Sequence, residues 1–213
     1  MAIILDTTQI DYIKQFNKVE DPLILEMRNY AIHRKIPILE DISVELIKTF
    51  IKIKKPSRVL ELGTAIAFTT IQIAEVLPEN SLIDTIEKSK DNLTIAKSYI
   101  ERSGFQNKIN LIEGDASEII PNLSNKYDLI FLDADKEAYE QLFDQSIELL
   151  NDDGIYIVDN LLWKGFPASQ TVPKEYEIST KHIRKFNSYF FSSDKLVSTL
   201  FPVGDGLGVG IKK

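Results

Sequence analysis

Between residues 58 and 160 the chain alternates short apolar runs with stretches of helical period, and this rhythm limits the fold more than any single residue does. RVLEL (58–62), SLIDTIE (81–87), INLIEGD (109–115), YDLIFLD (127–133) and IYIVDN (155–160) have the length and residue types of strands. TTIQIAEVL and DNLTIAKSYIERSG repeat apolar residues at three- and four-residue spacing, whereas ASEIIPNL has room only for a short helix. YEQLFDQSIELL continues the alternation, and Gly104 follows Arg102 and Ser103 as a helix stop. Strands that are apolar nearly throughout, separated by amphipathic helices, predict an α/β fold with a parallel sheet covered on both faces.

The two ends depart from the rhythm. KLVSTLFPVGDGLGVGIKK (195–213) is two strand-like runs around an Asp-Gly pair, which predicts an antiparallel C-terminal hairpin. Residues 1–57 read as helices, SVELIKTFIKI being the clearest, packed on a core over 58–213; 213 residues suit a single domain. The absence of cysteine excludes disulfides, thiolate nucleophiles and cysteine-ligated zinc or iron–sulfur sites. A net charge of −7 disfavours non-specific nucleic-acid binding, though not a local basic patch. No apolar run reaches the length of a membrane span, and AIIL near Met1 is too short for a signal peptide, so the cytoplasm is the expected location.

In sheets of this kind ligands bind beyond the carboxyl ends of the strands. Those ends carry Glu61-Leu62-Gly63, Glu87, Asp115, Asp133 and Asp159-Asn160. Acids gathered on one rim require a positive partner. The first turn, ELGTAIAF, has one glycine where a dinucleotide site wants three, and no phosphate-gripping Gly-Lys-Ser/Thr. The ligand expected is therefore nucleoside-like and cationic. Glu87, about 20 residues past the turn, is placed for ribose hydroxyls, and Asp115-Ala116 for an adenine edge. S-adenosylmethionine, whose sulfonium suits an acidic rim, meets this description. Asp133, Asp159 and Asn160 offer hard oxygens from adjacent strand ends, which suits Mg²⁺; with only His33 and His182, nothing argues for zinc.

On VLELGTAIAFTT, TIEK, EGDA, YDLIFLDADKEAY, GIYIVDNLLWKG and FPVGDGLGV, the sequence resembles the magnesium-dependent S-adenosylmethionine O-methyltransferases of the catechol and caffeoyl-CoA type, from residue 36 to the C-terminus. The resemblance implies a Rossmann-like, seven-stranded methyltransferase fold and a homodimer. By position it implies Asp133, Asp159 and Asn160 as metal ligands and Lys136 as catalytic base. Leu39, Glu61, Gly63, Thr69, Glu87, Asp115, Ala116 and Asp133 fall at positions that line the cofactor site. Ala67 stands where the family usually has glycine, which puts a methyl group at the backbone approach to the cofactor. Within the family the chain is most similar to the bacterial branch that methylates 5-hydroxyuridine in the tRNA anticodon to 5-methoxyuridine, which implies a tRNA anticodon stem-loop as partner. A small catechol or caffeoyl-CoA-like acceptor is the alternative.

Both acceptors present two adjacent oxygens for a metal to chelate. Lys136, beside the metal and the sulfonium, is expected to have its neutral form favoured, while Asp133 and Asp135 act against this. Trp163 is a candidate wall on the substrate side. Of the basic stretches, Lys48, Lys52, Lys54, Lys55 and Arg58 lead to the far face of the sheet, whereas His33, Arg34, Lys35, Lys164 and Lys174 are better placed to meet RNA phosphates.

Overall fold

The computed structural model describes residues 7–16 and 21–213. Three helices, α1 (Thr7–Lys14), α2 (Pro22–Arg34) and α3 (Asp41–Lys54), precede the alternating part. There β1 (Arg58–Leu62), α4 (Phe68–Val76), β2 (Leu82–Glu87), α5 (Lys90–Ser103), β3 (Ile109–Glu113), α6 (Ala116–Ile119), β4 (Tyr127–Leu132), α7 (Tyr139–Ile147) and β5 (Leu150–Val158) follow in turn. Helix α8 (Glu177–Phe191) leads to β6 (Leu196–Phe201) and β7 (Leu207–Lys212). The seven strands form one sheet in the order β3-β2-β1-β4-β5-β7-β6, with β1 to β5 parallel and β7 antiparallel to both its neighbours. This is the expected Rossmann-like architecture with its C-terminal hairpin.

The strands lack polar alternation because both faces are covered. Leu129 and Phe131 of β4 enter a core with α2 to α5, while Ile130 and Leu132 face a second core under α7 and α8. Three strands, β3, β4 and β5, have bounds that differ from expectation. β3 stops at Glu113, since Asp115 turns to cap α6 and its Oδ1 accepts from Ser117 N at 2.9 Å. Strands β4 and β5 stop one residue before Asp133 and Asp159, so these acids stand beyond the sheet. β5 begins at Leu150 rather than 155, because Asn151–Gly154 forms a bulge between the Tyr127↔Leu150 and Leu129↔Ile155 pairs.

The turn after β1 presses against the end of β4. Gly63 has φ +105°, and a Cβ there would lie 2.1 Å from the Asp133 carbonyl oxygen, so only glycine fits. Ala67 also has positive φ (66°), but it is wholly buried among core residues and its methyl is not on the ligand cavity.

Glu61 does not reach the rim. It alternates with Leu60 and Leu62, so its side chain enters the face covered by α4, where it is 1 % exposed. Thr70 and Thr85 both donate to Oε2, the latter at 2.6 Å, and Thr85 in turn meets the Thr64 hydroxyl at 2.6 Å. Burial, with the nearby charges of Asp133 and Glu87, pushes the Glu61 carboxyl up to about 8 against these hydrogen bonds. The folded chain therefore holds a proton here that the unfolded chain releases above its ordinary pKa of 4.5. Stability from this group falls as pH rises from 4.5 to about 8, by up to about 1.4 kcal/mol per pH unit, and is level beyond. Glu61→Gln keeps an acceptor for both threonines without the charge. Its melting temperature should exceed that of the wild type at pH 8, with the gap closing toward pH 5; a gap independent of pH contradicts the assignment.

Candidate active site

At the carboxyl ends of β1 to β5 lies a cavity of about 570 Å³. One side is built by Leu39, the Gly63–Ala65 turn, Thr69, Glu87, Asp115 and Ala116; the other by Asp133, Lys136, Asp159, Asn160, Trp163 and Lys164. Every site residue expected from the sequence is thus brought to one cavity, except Glu61. That residue lies beneath the turn with its Oε2 engaged by the two threonine hydroxyls, and does not line the wall.

On the first side, Glu87 is fixed by two backbone amides. Ala65 N donates to Oε2 at 2.8 Å and Ser89 N to Oε1 at 2.7 Å. The carboxylate is oriented by the fold, and each oxygen keeps a lone pair for a ligand hydroxyl. Asp115 carries its capping bonds to Ser117, which hold its carboxyl below the ordinary range. Lys88, which sequence reasoning passed over, bridges the strand tips: its Nζ lies 2.6 Å from Asp135 Oδ2 and 3.8 Å from Asp115 Oδ2. Its place directly after the tip acid of β2 was the available signal.

On the second side the in-register ends of β4 and β5 (Leu132↔Val158) set Asp133 beside Asp159-Asn160. Asp159 is 4 % exposed; Asn160 Nδ2 donates to its Oδ2 at 2.7 Å, while its buried Oδ1 has no hydrogen-bond partner. Burial and the neighbouring Asp133 charge push the Asp159 carboxyl well up, and burial also raises Asp133, against the attraction of Lys136. Two carboxylates that repel, an orphaned buried oxygen and the Asn160 amide oxygen make a hard-donor set that fits Mg²⁺. Among the described residues no three His, Cys, Asp or Glu side chains cluster as a metal site; the third oxygen here belongs to an amide, that of Asn160. Lys136 Nζ donates to Asn160 Oδ1 at 2.5 Å and sits 4.6 Å from the Trp163 ring centroid. It is paired with neither Asp135 nor Glu140; those carboxylates meet Lys88 and Lys185.

Asp205 also reaches this side, from the β6–β7 turn. Its backbone oxygen accepts from Leu162 N and Trp163 N at 2.8 and 3.1 Å. The sequence showed only a Gly-Asp-Gly turn, and nothing local said which loop it would meet. The basic stretch near residue 50 is engaged at the opposite end of the sheet: Lys54 binds the Asp153 carbonyl and Arg58 pairs with Asp84. Among the described residues no helix is long and apolar enough to cross a membrane.

A catechol O-methyltransferase from Niastella koreensis is 26 % identical over 216 residues, covering 95 % of each chain. A solved Staphylococcus aureus protein, a candidate caffeoyl-CoA O-methyltransferase, superposes with a TM-score of 0.89 at 27 % identity, covering 95 % of this chain and 98 % of that one. An O-methyltransferase from Bacillus cereus, solved in complex with SAH, has the same fold with a TM-score of 0.85 at 21 % identity, covering 95 % and 96 %. The sequence model of the O-methyltransferase family matches residues 15–213, a span that includes the Gly63 turn and every acid-bearing strand tip, and the chain belongs to that family.

Proposed function

We propose that this O-methyltransferase moves the methyl group of S-adenosylmethionine onto one of two adjacent oxygens of a catechol-type small molecule, with Mg²⁺ held by Asp133, Asp159 and Asn160. The observation that carries the reading is the orphaned Asp159 Oδ1 beside Asp133, in the same cavity as the Gly63 turn and Glu87. The catechol O-methyltransferase relative and the SAH-bound neighbour support the acceptor and the donor.

Glu87, held by the Ala65 and Ser89 amides, accepts from the ribose hydroxyls, and the acids around the cavity favour the cationic donor. When bound, the divalent ion supplies Lewis acidity that lowers the pKa of the chelated acceptor hydroxyl. Lys136 Nζ, beside Asn160, is the group placed to accept that hydroxyl's proton. The acceptor oxygen then forms the new O–C bond as the S–C bond breaks, and the bonding pair stays on sulfur. Trp163 walls the acceptor side, where its ring shields the reacting oxygens from water. Holding the two centres in line contributes about 7–11 kcal/mol of the barrier reduction.

A second reading, methylation of 5-hydroxyuridine in a tRNA anticodon stem-loop, is favoured by one feature. Arg34 and Lys35 end α2 immediately before the segment whose Pro37, Ile38 and Leu39 line the cavity, and Lys164 stands on the opposite wall.

Three measurements test these assignments. Asp133→Ala and Asp159→Ala should abolish both turnover and calorimetric Mg²⁺ binding, with metal-free melting temperatures no lower than the wild type, since one of two repelling charges is gone; Mg²⁺-independent activity after stringent chelation overturns the metal role. Glu87→Ala should weaken S-adenosylmethionine binding by about 1–3 kcal/mol, and unchanged affinity would show that another tip holds the ribose. With Mg²⁺ and donor, free catechols should be turned over at rates insensitive to salt. A 5-hydroxyuridine stem-loop that is used far better than catechol, with a rate that collapses as salt rises, replaces the catechol reading with the RNA one.

A further inference from the structure

Three lysines stand on the cavity wall, and two already have oxygen partners. Lys88 meets Asp135, and Lys136 meets Asn160. The Lys164 ammonium is held over two rings instead, 5.8 Å from the Trp163 centroid and 5.9 Å from that of Tyr176, and among the described residues no carboxylate lies within ion-pair distance of it. A cation over aromatic faces keeps its N–H donors for another acceptor.

Its position is set with unusual firmness for a loop. Trp163, Lys164 and Gly165 have φ of 36°, 58° and 80°, a left-handed run that side chains resist and that persists only where its surroundings impose it. Two rigid elements impose it. From the hairpin turn, Asp205 takes the amides of Leu162 and Trp163 on its backbone oxygen and that of Lys164 on Oδ1, at 3.3 Å. From α8, Asn187 donates to Leu161 O at 2.8 Å, and Arg184 donates to the carbonyls of Phe166, Pro167 and Ser169 at 3.0, 3.1 and 2.5 Å.

The spacing relates this ammonium to the reacting end. Lys136 Nζ lies 4.6 Å from the same Trp163 centroid that Lys164 Nζ approaches at 5.8 Å, so the two ammonium groups are at most about 10 Å apart. Both groups thus border the Trp163 ring, and an aromatic acceptor with its adjacent oxygens at Asp159-Asn160 shares that wall with Lys164. Apart from Lys164 itself and Lys136, which is engaged by Asn160, the charged groups on the acceptor side are Asp133, Asp159 and Asp205, which repel an anion.

We propose that Lys164 is a specificity-determining residue that binds an anionic substituent on the acceptor, so that the acceptors are catechols carrying a carboxylate. The proposal rests on the catechol reading. The test compares kcat/KM for 3,4-dihydroxybenzoate with that for 3,4-dihydroxybenzamide, a neutral molecule of the same shape, in the Mg²⁺-loaded enzyme. The wild type should favour the benzoate by roughly fivefold or more, as expected for a charge-assisted contact at a partly exposed site. Lys164→Gln should bring the ratio to about one, Lys164→Glu should invert it, and Lys164→Arg should restore it. A wild-type ratio of one, or a preference that survives Lys164→Gln, overturns the proposal while leaving the catechol reading intact. If the enzyme binds donor and metal but methylates neither compound, the proposal and that reading fall together.

Discussion

Two carboxylates of like charge, Asp133 and Asp159, stand side by side because β4 and β5 are parallel neighbours in register, and the rest of the site depends on that enforced proximity. Antiparallel strands would send successive tips to opposite ends of the sheet; parallel ones send them all to one rim. The repulsion is contained locally by Lys136, which sits on the Asn160 oxygen and lowers the energy of both charges, and by the Asn160 amide, which binds one Asp159 oxygen. The other oxygen is left without a hydrogen-bond partner, and the proposed metal site rests on it.

The same parallel geometry explains what could be read from the sequence. Alternation of apolar strands and amphipathic helices carries the sheet, and the last residues of each strand then carry the rim, because both are local patterns with one physical consequence. Glu61 shows where the inference fails. It lies inside β1 rather than beyond it, so strand alternation, not nearness to the tip, decides its direction. Its neighbours Leu60 and Leu62 face α7 and α8, which leaves Glu61 to the face of α4, where Thr70 meets it. A reading that asked which face each tip acid occupies would have separated Glu61 from Asp133, which follows the last paired residue of β4.

What was not legible is long-range. The Asn151–Gly154 bulge looks like a turn in sequence and becomes part of β5 only through Leu150 pairing with Tyr127. Asp205 belongs to a hairpin turn by its own sequence, and joins the site because β7 pairs with β5 and returns that turn to the loop beyond Val158. The contact is tight: a Cβ at Gly206 would lie 2.7 Å from Leu162 N. Side chains that arrive by such pairings leave no spacing signal at the position they serve.

The cavity therefore divides by the kind of element that builds each part. Glu87, Asp133 and Asp159 stand on strand ends whose positions are fixed by backbone pairing and by two buried cores, and substitutions elsewhere move them little. Trp163 and Lys164 stand on a loop that has no core of its own and keeps a left-handed backbone only because Asp205, Arg184 and Asn187 grip it. Loops of this kind tolerate sequence change that strands do not. Chemistry common to a family belongs on the first set, where a shift of an ångström is hardest to produce. Choice of acceptor belongs on the second, where one side chain alters what is bound without disturbing the oxygens that do the work.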